Sequence, residues 1–255
     1  MINRNKYPIL EFDPNRKSVL EPRHIIAGRD RLPRYGVLCF FREVIGKIRG
    51  KHKKLIHLGS EMGLLPVYEV KRGGKKLVVM QAPVGASLCA AILDELIALG
   101  VKKLVVVGGA GVLDRKIAFG HVVVPISAIR DEGTSYHYLR PGREVVPSPK
   151  AVSAIKQTLK KNDIPFITGK TWTTDAPYRE TSGKVKLRRA EGCLTVEMEA
   201  SALFAVAKYR GIQIGQMLYG GDDVSGETWD KRKWGDRHSI RERLFELAVE
   251  ACLKI

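Results

Sequence analysis

Two kinds of apolar pattern alternate along the chain. Short runs rich in valine and isoleucine, in which nearly every position is apolar, predict strands buried on both faces. These runs are residues 77–82, 103–111, 121–129 and 212–221. Longer stretches with an apolar residue at every third or fourth position predict helices. These stretches are residues 87–99, 147–162, 200–210 and 239–254.

The order of these elements predicts the fold class. Strands that are apolar throughout and separated by helices require a sheet covered on both faces. We therefore expect an α/β fold, a single-domain three-layer sandwich with helices flanking a mixed central sheet. The chain has 255 residues, of which 44% are hydrophobic, so it can form one full core. Residues 1–35 show neither pattern and predict an N-terminal arm before one domain at residues 36–255.

Composition narrows the class of protein. No run of about 18 apolar residues is present, so we expect no transmembrane helix, and the first residues lack the apolar segment of a signal peptide. The four cysteines lie far apart, without a CxxC pair. That spacing is typical of buried thiols in a reducing compartment rather than of disulfides or a zinc site. We expect a cytoplasmic protein without a metal.

The formal net charge of +17 is the strongest compositional signal. Nucleic-acid binding is one interpretation of it. The densest basic runs, however, contain none of the interleaved aromatic residues that a single-strand platform needs. We favour a solvated basic surface that attracts small anions such as phosphate. The densest runs are residues 47–54, 71–76 and 184–189.

Unusual residues stand where several predicted strands end. In open α/β folds, ligands bind at the carboxyl ends of the strands. Glycines there let a ligand approach the backbone and its N–H groups, although a plain tight turn explains them equally well. The pattern GxGxxG of dinucleotide-binding sites is absent. The segments concerned are GGAG (108–111), RDEGTSYHY (130–138), TWTTDAPYRET (171–181) and GGDD (220–223).

Two pairs of carboxylates fall at these strand ends. Glu197 and Glu199 flank Met198 where a strand passes into a helix, and an unpaired buried carboxylate is costly there. A carboxylate can accept both hydroxyls of a vicinal diol, and a thioether can pack on a sugar ring. We assign that ligand role to Glu199 and a structural role to Glu197. Adjacent Asp222 and Asp223 repel each other, which can make one a general acid, although an Asp-rich turn is the alternative.

In combination, these segments resemble the nucleoside phosphorylase and nucleosidase superfamily, which includes uridine phosphorylase, hexameric purine nucleoside phosphorylase and methylthioadenosine nucleosidase. The resemblance covers roughly residues 36–230. It implies a barrel-like, twisted central sheet and a homo-oligomer. The matching segments are GASLCAAILDELIALG, AIRDEGTSYHYLRP, GKTWTTDAPY and VEMEASAL.

The resemblance also implies a reaction of nucleoside metabolism and purine salvage. In it, phosphate or water attacks the anomeric carbon while the protonated base leaves. Glu199 would bind the ribose 2′ and 3′ hydroxyls, with Met198 beneath the sugar. Asp223 matches the aspartate with which purine-cleaving members protonate the base, so a purine is favoured. The implied base-site residues are Ala110, Gly111, Thr173, Thr174 and Asp175.

The sequence is compatible with two attacking nucleophiles, phosphate and water. Val106 and Gly109 stand where phosphorylases of the family carry an arginine and a serine or threonine for phosphate. Arg42 and Arg179 could bind phosphate with Gly109 instead. Glu43 falls near the glutamate that activates water in methylthioadenosine nucleosidase, which favours hydrolysis. The wider resemblance favours phosphorolysis, with inorganic phosphate as co-substrate and no cofactor.

Two other functions are compatible with the sequence. One is a non-catalytic nucleoside-binding or storage protein on the same scaffold, and the other is a basic nucleic-acid-binding protein. Glu199 and Asp223 are both intact. They favour the enzyme, since a protein that only binds need not keep an acid.

Overall fold

The computed structural model describes residues 2, 4–61, 63–232 and 238–255. Within these residues the chain forms one ten-stranded sheet and eight α-helices. The strands are β1 Tyr35–Cys39, β2 Lys53–Ser60, β3 Gly63–Arg72, β4 Lys75–Gln81, β5 Lys103–Val112, β6 Val122–Asp131, β7 Glu144–Val145, β8 Phe166–Thr174, β9 Cys193–Glu197 and β10 Gln213–Asp223. The helices are α1 Pro22–Ile25, α2 Arg42–Lys51, α3 Ala86–Ala98, α4 Ser135–Tyr138, α5 Pro149–Lys161, α6 Ser182–Ala190, α7 Ala200–Arg210 and α8 His238–Cys252.

The sheet is mixed and partly closed. Its strand order is β10-β6-β8-β9-β5-β1-β4-β3-β2, with β7 on β6. Strand β10 also pairs with β5, which closes β10, β6, β8, β9 and β5 into a ring. Strand β1 runs parallel to β4 and β5, whereas β9 runs antiparallel to β5. The predicted mixed, barrel-like sheet is confirmed.

Alternate residues of the central strands enter two separate cores. On β5, Leu104 and Val106 pack with α3 and α7, whereas Val105 and Val107 pack on the opposite face with α2, α5 and α8. Successive side chains of a strand point to opposite faces, so a strand covered on both sides must be apolar throughout. This packing explains the continuous apolar runs and confirms the three-layer α/β sandwich.

The segment before β1 lies across the ends of two helices. Apart from a 3₁₀ turn at Pro8–Leu10 and the short helix α1, its described residues are irregular. The Leu32 N–H donates to the Leu99 carbonyl at 2.8 Å, beside the end of α3. The Arg16 guanidinium donates to the Tyr209 carbonyl, and the Tyr209 hydroxyl donates back to the Arg16 carbonyl at 3.1 Å. These contacts hold the segment against α3 and α7.

Two further findings concern the compositional expectations. No helix in the described part of the chain is long and apolar enough to span a membrane. All four cysteines are buried and unpaired. Burial raises the pKa of the Cys39, Cys193 and Cys252 thiols to about 12, so these thiols are inert packing groups.

Candidate active site

A cavity of about 730 Å³ lies beside the carboxyl ends of β1, β5 and β10 and the last residues of β9. Its volume is within the range that holds small organic ligands. Six carboxylates and two guanidinium groups line it, among apolar and glycine residues. The charged residues are Arg42, Glu43, Glu180, Glu197, Glu199, Asp222, Glu227 and Arg241.

The junction between β9 and α7 supplies the most enclosed carboxylate that still faces the cavity. The Glu199 side chain is only 5% exposed, and its Oε1 accepts a hydrogen bond from the Gly85 N–H at 2.6 Å. Gly85 has φ of +99°, a backbone conformation that other residues rarely adopt. Burial, and then the charge of Glu197, raises the pKa of Glu199. Met198 lines the cavity beside it, as expected of a pair that would bind a sugar.

Glu197 uses most of its hydrogen-bonding capacity within the protein. Its carboxylate accepts from the Thr173 hydroxyl at 2.6 Å and from the N–H groups of Glu199 and Ala200 at 2.8 and 2.6 Å. The two N–H groups belong to the start of α7, where a carboxylate is favoured. Thr173 is itself held by the Ser201 N–H at 3.0 Å. Glu197 is therefore mainly a structural residue.

A bulge at the end of β10 decides how its two aspartates are oriented. Between Gly220 and Asp223, β10 uses three residues against the two of β5 that run from Ala110 to Val112. The extra residue changes which side chain faces which side of the sheet. As a result Asp222 lines the cavity, whereas Asp223 is not among the described residues that line it.

Asp223 is instead enclosed by its own loop. Its side chain accepts hydrogen bonds from the Ser225 N–H at 2.8 Å and from the Arg232 guanidinium at 2.8 Å, and Arg115 lies 3.7 Å away. Its backbone pairs with Asp230 in both directions. Burial opposes ionisation, but the Ser225 hydrogen bonds and the Arg232 charge outweigh it and lower the pKa of Asp223.

Asp222 has an aromatic neighbour at the mouth of the cavity. The Trp229 indole N–H donates to its Oδ2 at 2.7 Å. Burial raises the pKa of Asp222 despite that hydrogen bond. Burial, and then the Asp222 charge, raises the pKa of nearby Glu180 to about 7. The rings of Trp229 and Tyr178, which are 62% and 98% exposed, also line the cavity and could flank a planar base.

The opposite end of the cavity contains an ion pair between distant parts of the chain. The Arg241 guanidinium, on α8, donates to Glu43 at 2.9 Å and to the Tyr219 hydroxyl at 3.0 Å. A side chain at Gly109 would come within 3.0 Å of the Tyr219 ring, so glycine is needed there. Arg42 is exposed, lines the same end and forms no ion pair with a described residue.

The structure brings only some of the predicted residues together. Seven line the cavity: Arg42, Glu43, Gly109, Ala110, Gly111, Met198 and Glu199. Five others do not contribute to the described walls: Thr173, Thr174, Asp175, Arg179 and Asp223. Thr173 and Thr174 are buried within the sheet, and Asp175 accepts from the Gly133 N–H at 2.8 Å. Arg179 is exposed on the 3₁₀ turn Pro177–Arg179.

Sequence reasoning missed several residues that line the cavity. Arg241 stands in a predicted helix whose polar face gave no sign of its neighbours, since only tertiary packing brings α8 to Glu43. Tyr178 and Glu180 stand in segment 171–181, from which other residues were predicted to contribute to the site. Gln216 had a usable signal, because it interrupts an apolar strand run. The described residues contain no cluster of three histidine, cysteine, aspartate or glutamate side chains arranged to hold a metal ion.

Comparison with known proteins defines the class to which this fold and cavity belong. Residues 34–254 match the model of the phosphorylase superfamily, and the chain belongs to that family. It is an enzyme of the nucleoside phosphorylase and nucleosidase class. The resemblance seen in the sequence is thereby confirmed.

Individual relatives are distant. The chain is 29% identical over 142 residues to a guanosine phosphorylase of Halorubrum lacusprofundi, across 56% of this chain and 59% of that protein's length. It is 25% identical over 185 residues to a DeoD-type purine nucleoside phosphorylase of Bacillus cytotoxicus, across 71% of this chain and 77% of that protein. The crystal structure of uridine phosphorylase from Vibrio fischeri superposes with a TM-score of 0.75 at 21% identity, covering 94% of this chain and all of that chain. This last likeness establishes the fold alone.

Proposed function

We propose that the enzyme cleaves the N-glycosidic bond of a purine nucleoside by phosphorolysis, giving the free base and ribose 1-phosphate. One observation carries the proposal. A single cavity holds a buried carboxylate suited to a diol, Glu199, a carboxyl with a raised pKa, Asp222, and the guanidinium of Arg241. The names of the two curated relatives support a purine and a phosphorylase.

In the proposed reaction, the bond between C1′ of the ribose and N9 of the base breaks, and its electrons pass to the base. The Asp222 carboxyl gives its proton to the base as it leaves. An oxygen of hydrogen phosphate forms the new bond to C1′ and releases its own proton, which balances the proton taken from Asp222. Glu199 holds the ribose hydroxyls while positive charge develops on the sugar.

Asp222 is a better proton donor in this site than Asp223. A general acid must reach the base and must hold a proton near the working pH. Asp222 lines the cavity, and burial raises its pKa. Asp223 is occupied by Ser225 and Arg232, and its pKa is lowered. The predicted role therefore moves by one residue, on account of the bulge in β10.

The guanidinium groups at the other end are the proposed phosphate ligands. A dianion needs cationic donors, and guanidinium groups bind phosphate oxygens in a bidentate manner. Arg42 and Arg241 both line the cavity near Gly109. Arg179 is left out of this proposal because it lies outside the described walls.

Hydrolysis is the second candidate, and the position of Glu43 favours it. Glu43 lines the same end of the cavity, where its charge would repel phosphate and where its carboxylate could take a proton from water. Its carboxylate accepts a hydrogen bond from Arg241 at 2.9 Å, and that contact would compete with a water molecule for the same carboxylate. That ion pair is our reason for placing phosphorolysis first.

The test is product analysis. The purified protein is incubated with adenosine, guanosine, inosine and uridine, with and without phosphate. We expect ribose 1-phosphate to form from a purine nucleoside only when phosphate is present. Free ribose formed at an unchanged rate without phosphate would establish hydrolysis instead.

Two variants of one ion pair sharpen the result. For phosphorolysis, we expect Arg241→Gln to raise the KM for phosphate, whereas Glu43→Gln removes a repelling charge and lowers it. For hydrolysis, Glu43→Gln should be nearly inactive. Lys47→Gln is the matched control, since Lys47 is a surface cation on α2 that pairs with Glu242 away from the cavity.

We also infer the co-substrate, the cellular location and the oligomeric state of the enzyme. The enzyme would use inorganic phosphate as its co-substrate and need no organic cofactor, because the proton, the sugar contacts and the anion contacts all come from side chains. The four unpaired, buried cysteines support a reducing, cytoplasmic location. A homo-oligomer is the remaining part of this proposal, and light scattering of the purified protein tests it.

A further inference from the structure

A buried amide in the wall of the cavity has no hydrogen-bond partner. Gln216 lies on β10 and is 0% exposed. Neither its Nε2 nor its Oε1 finds a partner among the described residues, yet the side chain lines the cavity. Buried polar groups are nearly always hydrogen-bonded, and an unpaired one is costly. The amide therefore calls for a ligand atom.

The position of Gln216 defines the end of the cavity that it serves. It pairs in register with Val106 of β5, two residues before the pair of Leu218 and Gly108. It precedes Asp222 by six residues on the same strand, which is roughly 20 Å at about 3.3 Å per residue. If the base of a nucleoside contacts Asp222, its sugar rather than its base would be nearer to Gln216.

The polarity of the wall restricts the ligand group. A carboxamide has N–H donors and a carbonyl acceptor, and it carries no charge. Its neighbour in the parallel strand, Val106, is apolar and fully buried. A hydroxyl group both donates and accepts one hydrogen bond, so it can satisfy both polar atoms of the amide.

We propose that Gln216 is a further substrate-binding residue, whose carboxamide exchanges hydrogen bonds with an O–H group at the sugar end of the cavity. The inference rests on the proposed function. The O–H group belongs either to the ribose or to the attacking nucleophile, which is hydrogen phosphate or water.

A residue with a structural role would form hydrogen bonds with the rest of the protein. Glu197, which is structural, accepts three hydrogen bonds from the protein. The Gln216 side chain accepts and donates none within the described part of the chain, so removing its polar atoms should not harm the ligand-free protein. Replacement by methionine, which has nearly the same length and volume, removes the amide alone.

The experiment compares Gln216→Met with Gln157→Met. Gln157 is exposed on α5 and away from the cavity, so Gln157→Met makes the same chemical change outside the site. We expect Gln216→Met to melt at the same temperature as the wild type or higher, and to lose kcat/KM on the order of tenfold or more. Gln157→Met should match the wild type in both respects.

Substrate analogues identify the source of the O–H group. The 2′-, 3′- and 5′-deoxy forms of the best nucleoside are assayed with the wild type and with Gln216→Met. If a ribose hydroxyl is bound, the analogue that lacks it will show no further loss on substitution. If the nucleophile is bound, every analogue will lose the same factor, and the KM for phosphate or the hydrolytic kcat will change.

Two results would overturn the proposal. One is an unchanged kcat/KM with every nucleoside in Gln216→Met. The other is a melting temperature that falls by several degrees, which would make Gln216 a structural residue. Nucleoside binding is measured by calorimetry as well as turnover. A wild type that binds no nucleoside would refute the proposed function, whereas a wild type whose binding is unaffected by the substitution would refute only the role of Gln216.

Discussion

Two carboxylates stand at the end of β9 and two at the end of β10. In each pair, one carboxylate is bound by protein donors and the other faces the cavity. At β9, Glu197 accepts three hydrogen bonds from the protein, and Glu199 accepts one from Gly85 while facing the cavity. At β10, Asp223 is held by Ser225 and Arg232, and Asp222 faces the cavity with one hydrogen bond from Trp229. In both pairs the carboxylate that accepts more hydrogen bonds from the described residues stabilises the loop or helix start.

The two strand ends differ in the origin of that arrangement. Glu197 and Glu199 are two residues apart, and the start of α7 takes the first of them as an acceptor for its free N–H groups. Asp222 and Asp223 are adjacent in the sequence, and the bulge in β10 places Asp222, but not Asp223, in the described cavity wall. The comparison teaches that the number of protein donors around a carboxylate, rather than its burial, separates structural acids from those available to a ligand.

The largest loss of activity is expected for Asp222→Asn. An amide cannot deliver a proton, and general acid catalysis contributes about 10² to 10⁴ in rate. We expect kcat for the best purine nucleoside to fall by a factor in that range, with an unchanged melting temperature. Asp223→Asn, measured in parallel, should keep most of the rate if it folds. Loss of activity in Asp223→Asn alone would return the role of proton donor to Asp223.

The second largest effect is expected for Glu199→Ala. Each hydrogen bond to a charged group is worth about 1.5–3 kcal/mol, which is on the order of 10- to 100-fold, so loss of the ribose contacts should lower kcat/KM by at least that factor. Circular dichroism should show an intact fold, because Glu199 faces the cavity and, among the described residues, accepts fewer hydrogen bonds than Glu197. An unchanged kcat/KM would remove Glu199 from the site.

Glu197→Gln should show the reverse pattern, a loss of stability larger than the loss of activity. The new NH₂ group would face donors that now bind a carboxylate, and unsatisfied buried groups cost about 1–3 kcal/mol. For a chain of this size, each kcal/mol lowers Tm by about 2–4 °C. Differential scanning calorimetry measures the change, with Glu199→Gln as the matched variant that should stay near the wild-type Tm.

The smallest effect concerns the acid stability of the β10 end. The pKa of Asp223 is lowered in the folded state, so its ionised form contributes stability above its ordinary pKa of 3.8. That contribution is lost as the pH falls from about 4 through the folded pKa. The difference in free energy of unfolding between wild type and Asp223→Asn should be constant from pH 7 to about pH 4 and then shrink. Urea titrations at fixed pH values measure it, and a constant difference down to pH 2 would contradict the lowered pKa.

Much of the fold follows from patterns that are local in the sequence. The helix predicted at residues 200–210 has those bounds, and the run at 103–111 becomes β5, Lys103–Val112. These elements are buried on both sides, so their apolar pattern is continuous and easy to recognise. Strands β2 and β3 were not predicted. β2 is the edge strand and β3 pairs with it, and neither shows the continuous apolar run of the central strands because many of their residues are exposed or half-buried.

The candidate site was less predictable than the fold. Residues that one local segment brings to the cavity, such as Met198 and Glu199, could be predicted from the sequence alone. The choice between Asp222 and Asp223 depends on a bulge, which a strand pattern does not reveal. Arg241 depends on the docking of a distant helix, and no local pattern records that.

The ion pair between Glu43 and Arg241 also has a consequence for how the chain folds. Its partners are 198 residues apart in a chain of 255, so the contact closes a loop of more than three quarters of the chain. Such long closures are entropically costly and form late, after local helices and strand pairs. The contact between Glu43 and Arg241 should therefore be among the last parts of the cavity to assemble, when α8 docks against α2 and β1. If Arg241 binds phosphate as proposed, a nascent chain still without α8 would contain Glu199 and Asp222 but lack that ligand, so full activity in refolding should appear only with the final phase.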